Sequence, residues 1–263
     1  MKYSFMSFST PQLDLAEILE VAHRYGYDGI EPRLDSEHGH GIEVQTTAEQ
    51  RLAIRRQAED APAALACLAT SLTYANPDDT EEVLRQTHER IDLTGDVGVS
   101  AMRVFGGQLP DGFGRRQAID LLVESLRSVA DHAAQRGVTL CLETHDDWCD
   151  PAHVAEVLGR VDHPAIGANW DAMHPVRSRI ATIDESFETL KPWIRHLHVH
   201  DGGESSMFLP FGEGQIDHKR VIELLKTIDF EGYLSGEWIG WEPYEIHLPR
   251  EVVALKRYEH ELS

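Results

Sequence analysis

Acidic and imidazole side chains stand at the ends of several short apolar runs in this sequence. Glu143 ends the run LCLE and His145 follows it two residues later, Asp171 ends IGANWD, and Glu237 ends YLSGE. A further run, IRHLHVHD, alternates three imidazoles: His196, His198 and His200. Carboxylates and imidazoles are the side chains that bind hard divalent cations and carry protons, so their recurrence indicates metal or acid–base chemistry.

The spacing of these residues predicts how they face one another. Successive side chains of a strand point to opposite faces, so Glu143 and His145 share a face, and so do the three histidines. Burying such polar groups without partners is costly, so either facing carboxylates or a divalent cation must satisfy them. Two glutamates, one aspartate and one histidine suit a single ion of Mn²⁺, Mg²⁺, Co²⁺ or Zn²⁺.

Each residue taken alone also has an ordinary structural interpretation. An acidic residue after a strand commonly caps the next helix, and we assign Asp150 and Asp217 to capping. A single buried histidine is commonly a hydrogen-bonded part of the core. The metal hypothesis depends on the joint pattern, in which consecutive apolar runs all end in ligand-type side chains.

The elements that must position these residues follow one rhythm. Short apolar runs alternate with longer amphipathic stretches at spacings that fit a strand, a helix and two connections; the runs begin near Tyr3, Asp28, Leu65, Ala101, Val138, Ile166, Ile194 and Tyr233. Eight such units in one chain predict an α/β fold, a single (β/α)8 barrel domain over residues 1–263. An open doubly wound sheet is the alternative, but no GxGxxG turn follows the first run.

The composition of the chain limits which binding partners and which location are expected. The 263 residues carry a formal net charge of −21, which argues against binding nucleic acid or an anionic membrane surface. No apolar run is long enough for a signal peptide or a membrane span. Three cysteines without a CxxC pair predict a reducing, cytoplasmic location. The oligomeric state stays open, a homo-oligomer included.

These runs together resemble the xylose-isomerase-like TIM-barrel superfamily, whose members include sugar phosphate isomerases and epimerases. GYDGIEPR resembles its second strand, LCLETH its fifth, WDAMH its sixth, HLHVHD with the later FGEGQID its seventh, and SGEW its eighth. Each motif is weak alone, but five in order at barrel spacing are specific. The resemblance covers the whole chain.

The resemblance implies roles for particular residues. It implies one divalent metal ion bound by Glu143, Asp171, His198 and Glu237, with His200 as the rival to His198. It also implies that Glu143 and Glu237 exchange protons with the substrate. The expected activity is therefore a metal-dependent isomerase or epimerase of a small keto-sugar or polyol, acting by proton abstraction next to a carbonyl.

A second chemistry is left open by His145. An additional imidazole beside the metal glutamate suits proton abstraction followed by loss of a β-substituent. Inosose dehydratases and 3-keto-glycoside-cleaving lyases of the superfamily carry out such eliminations. A lyase or dehydratase is thus the alternative to an isomerase, with His145 as a catalytic residue; its structural alternative is support of a metal carboxylate.

Two remote alternatives are weaker. An apurinic endonuclease needs further histidines after the third and fourth strands, where this chain has CLATSLTY and RVFGGQ. A barrel that binds sugar without turnover would not need an acid–base set. The ketose 3-epimerases have an arginine six residues after the metal histidine, and this chain has Glu204 there.

Other side chains near the strand ends are candidates for substrate binding. Trp170 and Trp238 could stack on a sugar ring, although aromatic residues often simply pack in the core. Arg33 and Arg103 could hold a substrate carboxylate or phosphate, or form salt bridges to Glu31. The complete set of expected substrate-binding residues is Glu31, Arg33, Arg103, Trp170, His174, His200 and Trp238.

Overall fold

The apolar runs form strands of one parallel sheet. In the computed structural model, which describes residues 1–263, the strands are β1 (Lys2–Met6), β2 (Gly29–Glu31), β3 (Ala64–Leu65), β4 (Leu68–Thr73), β5 (Ala101–Phe105), β6 (Thr139–Glu143), β7 (Ile166–Asp171), β8 (Ile194–Val199) and β9 (Tyr233–Gly236). Their spatial order is β3-β2-β1-β9-β8-β7-β6-β5-β4.

The two ends of this sheet belong to the same barrel strand. β3 pairs with β2 and β4 pairs with β5, yet only Ala66 and Cys67 separate β3 from β4 along the chain. A backbone bridge between Arg33 and Ala69 adds a contact across the junction. The nine strands are therefore the eight barrel strands with the third one interrupted, and the predicted (β/α)8 barrel is confirmed.

Helices surround the sheet. They are α1 (Leu15–Tyr25), α2 (Ala48–Asp60), α3 (Thr80–Asp96), α4 (Arg115–Arg136), α5 (Pro151–Val161), α6 (Met173–Arg177), α7 (Ile183–Leu190), α8 (His218–Lys226) and α9 (Tyr244–Glu261). The apolar core lies between them and the outer face of the sheet; on α4 it includes Leu122, Leu126, Val129 and Ala133. None of the helices combines the length and apolar character that a membrane crossing requires.

Side chains at the helix ends define where the helices begin. The Asp150 carboxylate accepts from Ala152 N–H and the Asp217 carboxylate accepts from Arg220 N–H, so both predicted caps are confirmed. Because these two carboxylates serve helices α5 and α8, neither belongs to the group of side chains that fills the barrel mouth.

The strand register places the polar strand ends side by side. Asp171 pairs with His198 across β7 and β8, and Glu143 pairs with Asn169 across β6 and β7. Parallel strands of a barrel all end at the same mouth, and alternate side chains point inward. The register therefore brings carboxylates and imidazoles together inside the barrel at its C-terminal end.

Candidate active site and metal centre

Four side chains form a buried group at the barrel mouth, which we call the ligand cluster: Glu143, Asp171, His198 and Glu237. One carboxylate or imidazole atom from each lies within 4.8 Å of those of the other three. Glu143, Asp171 and His198 are 0% exposed and Glu237 is 8% exposed. The last residues of β6 and β7, a residue of β8 and the residue after β9 thus meet at one point.

The contacts within the ligand cluster are close. The Nδ1 atom of His198 lies 2.9 Å from Glu143 Oε1 and 3.5 Å from Glu237 Oε2. Asp171 Oδ1 accepts from the backbone N–H groups of Met173 and His174, at 2.8 and 3.2 Å. That carboxylate is therefore anchored by one oxygen at the start of α6, and its other oxygen faces the imidazoles.

A shell of buried groups holds the ligand cluster from outside. Glu31 lies between two histidines, with Oε2 2.7 Å from His196 Nε2 and Oε1 3.0 Å from His198 Nε2. On the other side, Arg103 Nε lies 3.3 Å from Glu143 Oε2. Arg103 Nη1 donates to the Thr70 carbonyl at 2.9 Å, so both supporting residues are themselves fixed.

Mutual charge dominates the protonation of these groups. Burial alone lowers the pKa of His198, but the carboxylates of Glu31, Glu143 and Glu237 outweigh it and raise that pKa well above its usual value. Burial likewise opposes ionisation of Glu31, yet the facing histidines hold its pKa well below the usual range. The Glu31 carboxylate is thus stabilised as an anion.

The donor set fits a divalent cation. Glu31, Glu143, Asp171 and Glu237 are four buried carboxylates, and Arg103 is the one guanidinium paired with them. Carboxylate oxygens with one imidazole nitrogen suit a hard or borderline divalent metal, and the added positive charge would offset the excess of buried anions. The buried Oε2 atom of Glu143 makes no hydrogen bond and has only the Arg103 Nε atom beside it, at 3.3 Å, so it remains available to a cation.

A cavity of about 440 Å³ opens at the mouth beside the ligand cluster. It is lined by His145, His174, His200, Met207, Phe208, Glu237 and Ile239. Of the four cluster residues, only Glu237 borders it. A second cavity, of about 430 Å³, includes Lys2 and Tyr233 at the opposite end of the barrel and borders none of the cluster residues.

His145 lies in the wall of the mouth cavity, half-buried. Its Nδ1 atom is 3.0 Å from Asp146 Oδ1, and its ring packs edge-on against His174 with centroids 4.4 Å apart. Burial lowers the pKa of His145, but the Asp146, Glu143 and Glu237 carboxylates outweigh it and raise that pKa to about 9. The protonated imidazole is therefore favoured, and it borders the cavity.

His200 and His174 also border the cavity. His200 Nε2 lies 2.8 Å from Asp171 Oδ2, and His174 Nε2 lies 3.8 Å from the same oxygen. His200 therefore faces the ligand cluster only through Asp171, whereas His198 lies within it. Asp171, His174 and His200 form a second group of ligand-type atoms within 4.8 Å of one another, so the assignment of His198 as the metal ligand stays a prediction.

The two tryptophans expected at the substrate lie elsewhere, and the stacking prediction is wrong for both. Trp170 is fully buried behind the barrel wall, where its Nε1 donates to Ser186 Oγ at 2.9 Å and its ring packs on Phe187. Trp238 is 1% exposed and packs against Phe211 and His247. Trp170 directly precedes Asp171, and Trp238 directly follows Glu237. Because these carboxylates point inward and neighbouring side chains of a strand alternate between faces, both tryptophans point outward.

Three further candidates for substrate binding have side chains that contact other groups of the protein. Glu31 is 0% exposed, with both oxygens on histidines, and Arg103 is 1% exposed against Glu143 rather than Glu31. Arg33 is half-buried and donates from Nη2 to Ser71 Oγ at 2.5 Å. None of the three borders the cavity, so the structure corrects their expected role from substrate binding to support.

The loop after β8 closes one side of the cavity. It spans residues 201–216 and includes most of the FGEGQID segment that resembles the family. The Asp201 carboxylate accepts from backbone N–H groups across this loop, those of Gly202, Gly212, Gly214 and Ile216. The loop thereby carries Met207 and Phe208 into the cavity wall, and the multiple backbone contacts of one aspartate were not readable from spacing.

Known enzymes are similar to this chain in sequence. The chain is 26% identical to a 3-dehydroshikimate dehydratase of Bacillus anthracis over 270 residues, with 94% of each chain covered. It is 24% identical to an L-ribulose-5-phosphate 3-epimerase of Escherichia coli, covering 84% of this chain and 81% of that one.

A solved structure shares the fold at greater distance. The 3-keto-D-glucoside 4-epimerase of E. coli matches with a TM-score of 0.81 and 14% identity, over 98% of this chain and 99% of that one. Residues 19–254 match the family described as xylose isomerase-like TIM barrel. With a family match over most of its length and the barrel confirmed, the chain belongs to the xylose isomerase-like TIM barrel family.

Proposed function

We propose that this protein is a divalent-metal-dependent enzyme that removes a proton next to a carbonyl of a small sugar-like substrate and then expels a β-hydroxyl or other β-substituent. The observation that carries this proposal is the unequal placement of the two glutamates. Glu237 borders the cavity together with His145, whereas Glu143 does not. One carboxylate and one imidazole suit a base and an acid acting on the same substrate.

Glu143, Asp171, His198 and Glu237 would hold the cation. When bound, the metal supplies polarisation of the substrate carbonyl and stabilisation of the enediolate. Its identity among Mn²⁺, Mg²⁺, Co²⁺ and Zn²⁺ is part of the proposal and is open to direct assay.

The remaining steps belong to this chain's own residues. A Glu237 carboxylate oxygen takes the α-proton, and the C–H electron pair moves into the enediolate. The enediolate then re-forms the carbonyl and the bond to the β-substituent breaks, while His145 Nε2 donates a proton to the leaving oxygen. Asp146 holds Nδ1 of that imidazole at 3.0 Å, and His174 and His200 are positioned to bind substrate hydroxyls.

A second candidate is the epimerisation or isomerisation that the sequence favoured. It is supported by the presence of both glutamates in the ligand cluster and by the likeness to the ribulose-phosphate epimerase. It requires Glu143 as well as Glu237 to reach the substrate, one on each face. The dehydratase relative, matched over 94% of both chains, supports the elimination instead. It remains a prediction that the protein acts on a carbohydrate, that it does so in the cytoplasm, and that it binds neither nucleic acid nor a membrane.

A screen in D₂O tests the proposal. The metal-loaded protein is incubated with ketoses, inososes, 3-keto-glycosides and cyclic hydroxyketones, and NMR follows exchange of α-protons while mass spectrometry follows the products. We expect exchange coupled to loss of water or of a β-substituent. Exchange with a rearranged product that has lost no group, and is heavier only by the deuterium taken up, would support the second candidate, and absence of exchange from every compound would contradict both.

A further inference from the structure

We propose that the cavity contains a subsite for an aromatic substituent, formed by an apolar wall of Met207, Phe208 and Ile239. The substrate class this assigns is an uncharged keto-glycoside with an aryl group, the sugar facing the imidazoles and the aryl group facing the apolar wall. The assignment of the reactive sugar end rests on the proposed function, whereas the apolar subsite is argued from the geometry of the cavity.

The composition of the cavity is divided. His145, His174, His200 and Glu237 supply the polar lining, and the apolar wall supplies the rest. Met207 is 49% exposed and Ile239 is 52% exposed, which places two of the chain's most exposed large apolar side chains at the same opening. Grouped apolar exposure beside a polar pocket is typical of a ligand site.

The apolar wall is held in place before any ligand binds. Ser206 Oγ donates to the Phe208 carbonyl at 2.7 Å, next to Met207 in the loop. The Phe208 ring lies between His200, with centroids 5.8 Å apart, and Trp241, with centroids 6.0 Å apart. A preorganised aromatic surface binds a flat apolar group with little further loss of conformational entropy.

The base of the same loop is fixed as well. The backbone N–H of Phe211 donates to the buried Glu251 carboxylate at 2.8 Å, and Asp201 accepts from four backbone N–H groups of the loop. The loop is thus tied at its start and its end to the barrel and to α9, so the apolar wall keeps its position beside the imidazoles.

The cavity lining lacks the arginine and lysine side chains that commonly bind an anionic group of a substrate. No lysine or arginine borders the cavity, and Arg103 is paired with Glu143. Arg177 stands outside the lining, with Nη1 2.8 Å from Met207 Sδ. A phosphate or carboxylate in the cavity would lie beside the Glu237 carboxylate, with only imidazoles as cationic partners in the lining, so we expect an uncharged substrate to be preferred. The cavity has a volume of about 440 Å³, which lies within the usual range for small-molecule binding sites.

Calorimetry with unreactive analogues tests the subsite. Phenyl β-glucoside, methyl β-glucoside, glucose and glucose 6-phosphate are titrated into the Mn²⁺-loaded protein. We expect the phenyl glucoside to bind at least about tenfold more tightly than the methyl glucoside, because the ring loses its hydration against the apolar wall. We expect glucose 6-phosphate to bind no more tightly than glucose.

Matched variants assign the preference to the apolar wall. Met207→Ser and Ile239→Ser should each reduce the phenyl-to-methyl ratio to about threefold or less. Both side chains are about half exposed, so the fold should persist. Val253→Ser, at a position 65% exposed on α9 and outside the cavity lining, should leave the ratio unchanged.

The outcomes separate this proposal from the proposed function. Equal binding of phenyl and methyl glucosides, a ratio unaltered in Ile239→Ser, or tighter binding of the phosphate would overturn the subsite even if α-proton exchange is found. A phenyl preference that the wall variants reduce, in a protein that exchanges no α-proton in the D₂O screen, would keep the subsite and remove the proposed function.

Discussion

Glu31 fixes the direction in which His198 faces the ligand cluster. Its Oε1 atom lies 3.0 Å from His198 Nε2, while His198 Nδ1 lies 2.9 Å from Glu143 Oε1. With Nε2 directed at Glu31, Nδ1 faces Glu143 and Glu237 and is the atom that would bind a metal once the cation displaces its proton. Carboxylates behind a metal histidine orient the ring and raise its basicity.

Glu31→Gln should therefore weaken metal binding without removing any ligand. We expect the dissociation constant for Mn²⁺ to rise about 10- to 100-fold, because Gln carries no charge and offers only one oxygen to two histidines. Calorimetric titration of the metal-free variant measures this. Glu59→Gln, at an exposed site on α2, is the control, and an affinity within twofold of the wild type in Glu31→Gln would count against the account.

Substitutions of His145 and Glu143 should differ in their effects on activity and on metal content. His145→Ala should lower kcat for the reaction found in the D₂O screen by about 10²- to 10⁴-fold, while metal content is retained, because the imidazole borders the cavity and lies outside the ligand cluster. Glu143→Gln should lose both metal and activity. A kcat within threefold of the wild type for His145→Ala would return proton transfer to the glutamates alone.

A buried histidine in the loop after β2 should make the fold sensitive to acid. His40 is 4% exposed, with Nδ1 accepting from Ile42 N–H at 3.0 Å and Nε2 donating to the Arg33 carbonyl at 3.2 Å. Burial lowers the pKa of His40 to about 4, and His38 adds to the effect. The unfolded chain therefore binds a proton at a higher pH than the folded chain does.

Stability contributed by neutral His40 is present above the unfolded pKa and is lost as the pH falls toward 4. The pKa difference between the folded chain and the ordinary value of 6.5 corresponds to a loss of up to about 3 kcal/mol. His40→Asn should flatten the pH dependence of the free energy of unfolding between pH 7 and pH 4, measured by urea denaturation. Parallel curves for the two proteins would show that His40 does not titrate in this range.

Trp170 should matter for stability rather than for substrate. Trp170→Phe removes the hydrogen bond to Ser186 and should lower the free energy of unfolding by about 1–3 kcal/mol with KM unchanged. Ser186→Ala should cost a similar amount, and the double variant should cost less than the sum of the two. A selective rise in KM for Trp170→Phe would instead support the original stacking prediction.

Strand periodicity explains both the success and the error at this site. Alternation correctly grouped Glu143 with His145 and His196 with His198, because these pairs share an inward face. The same rule places Trp170 and Trp238, the neighbours of Asp171 and Glu237, on the outer face. The prediction that these rings contact a substrate depended instead on the common stacking of sugars on aromatic rings. Glu31 could not be paired from the sequence, since its histidines lie 165 and 167 residues away and meet it only through barrel closure.

The start of the first helix carries two competing local signals. Thr10-Pro11 predicts the beginning of the first helix, but α1 begins at Leu15. Asp14 is the cap, accepting from Glu17 N–H, while the Glu17 side chain accepts from Asp14 N–H. This capping box was visible in the sequence. Gly26, with φ +83°, ends the helix in the left-handed conformation that glycine adopts readily.

The central claim is that the ligand cluster holds one divalent cation, and a titration of the metal-free protein with Mn²⁺ tests it most directly. The four ligand atoms lie within 4.8 Å of one another, so we predict one ion bound per chain in the wild type and no measurable binding in Glu143→Gln or Asp171→Asn. Absence of binding to the wild type, or unchanged binding to both variants, would contradict the account.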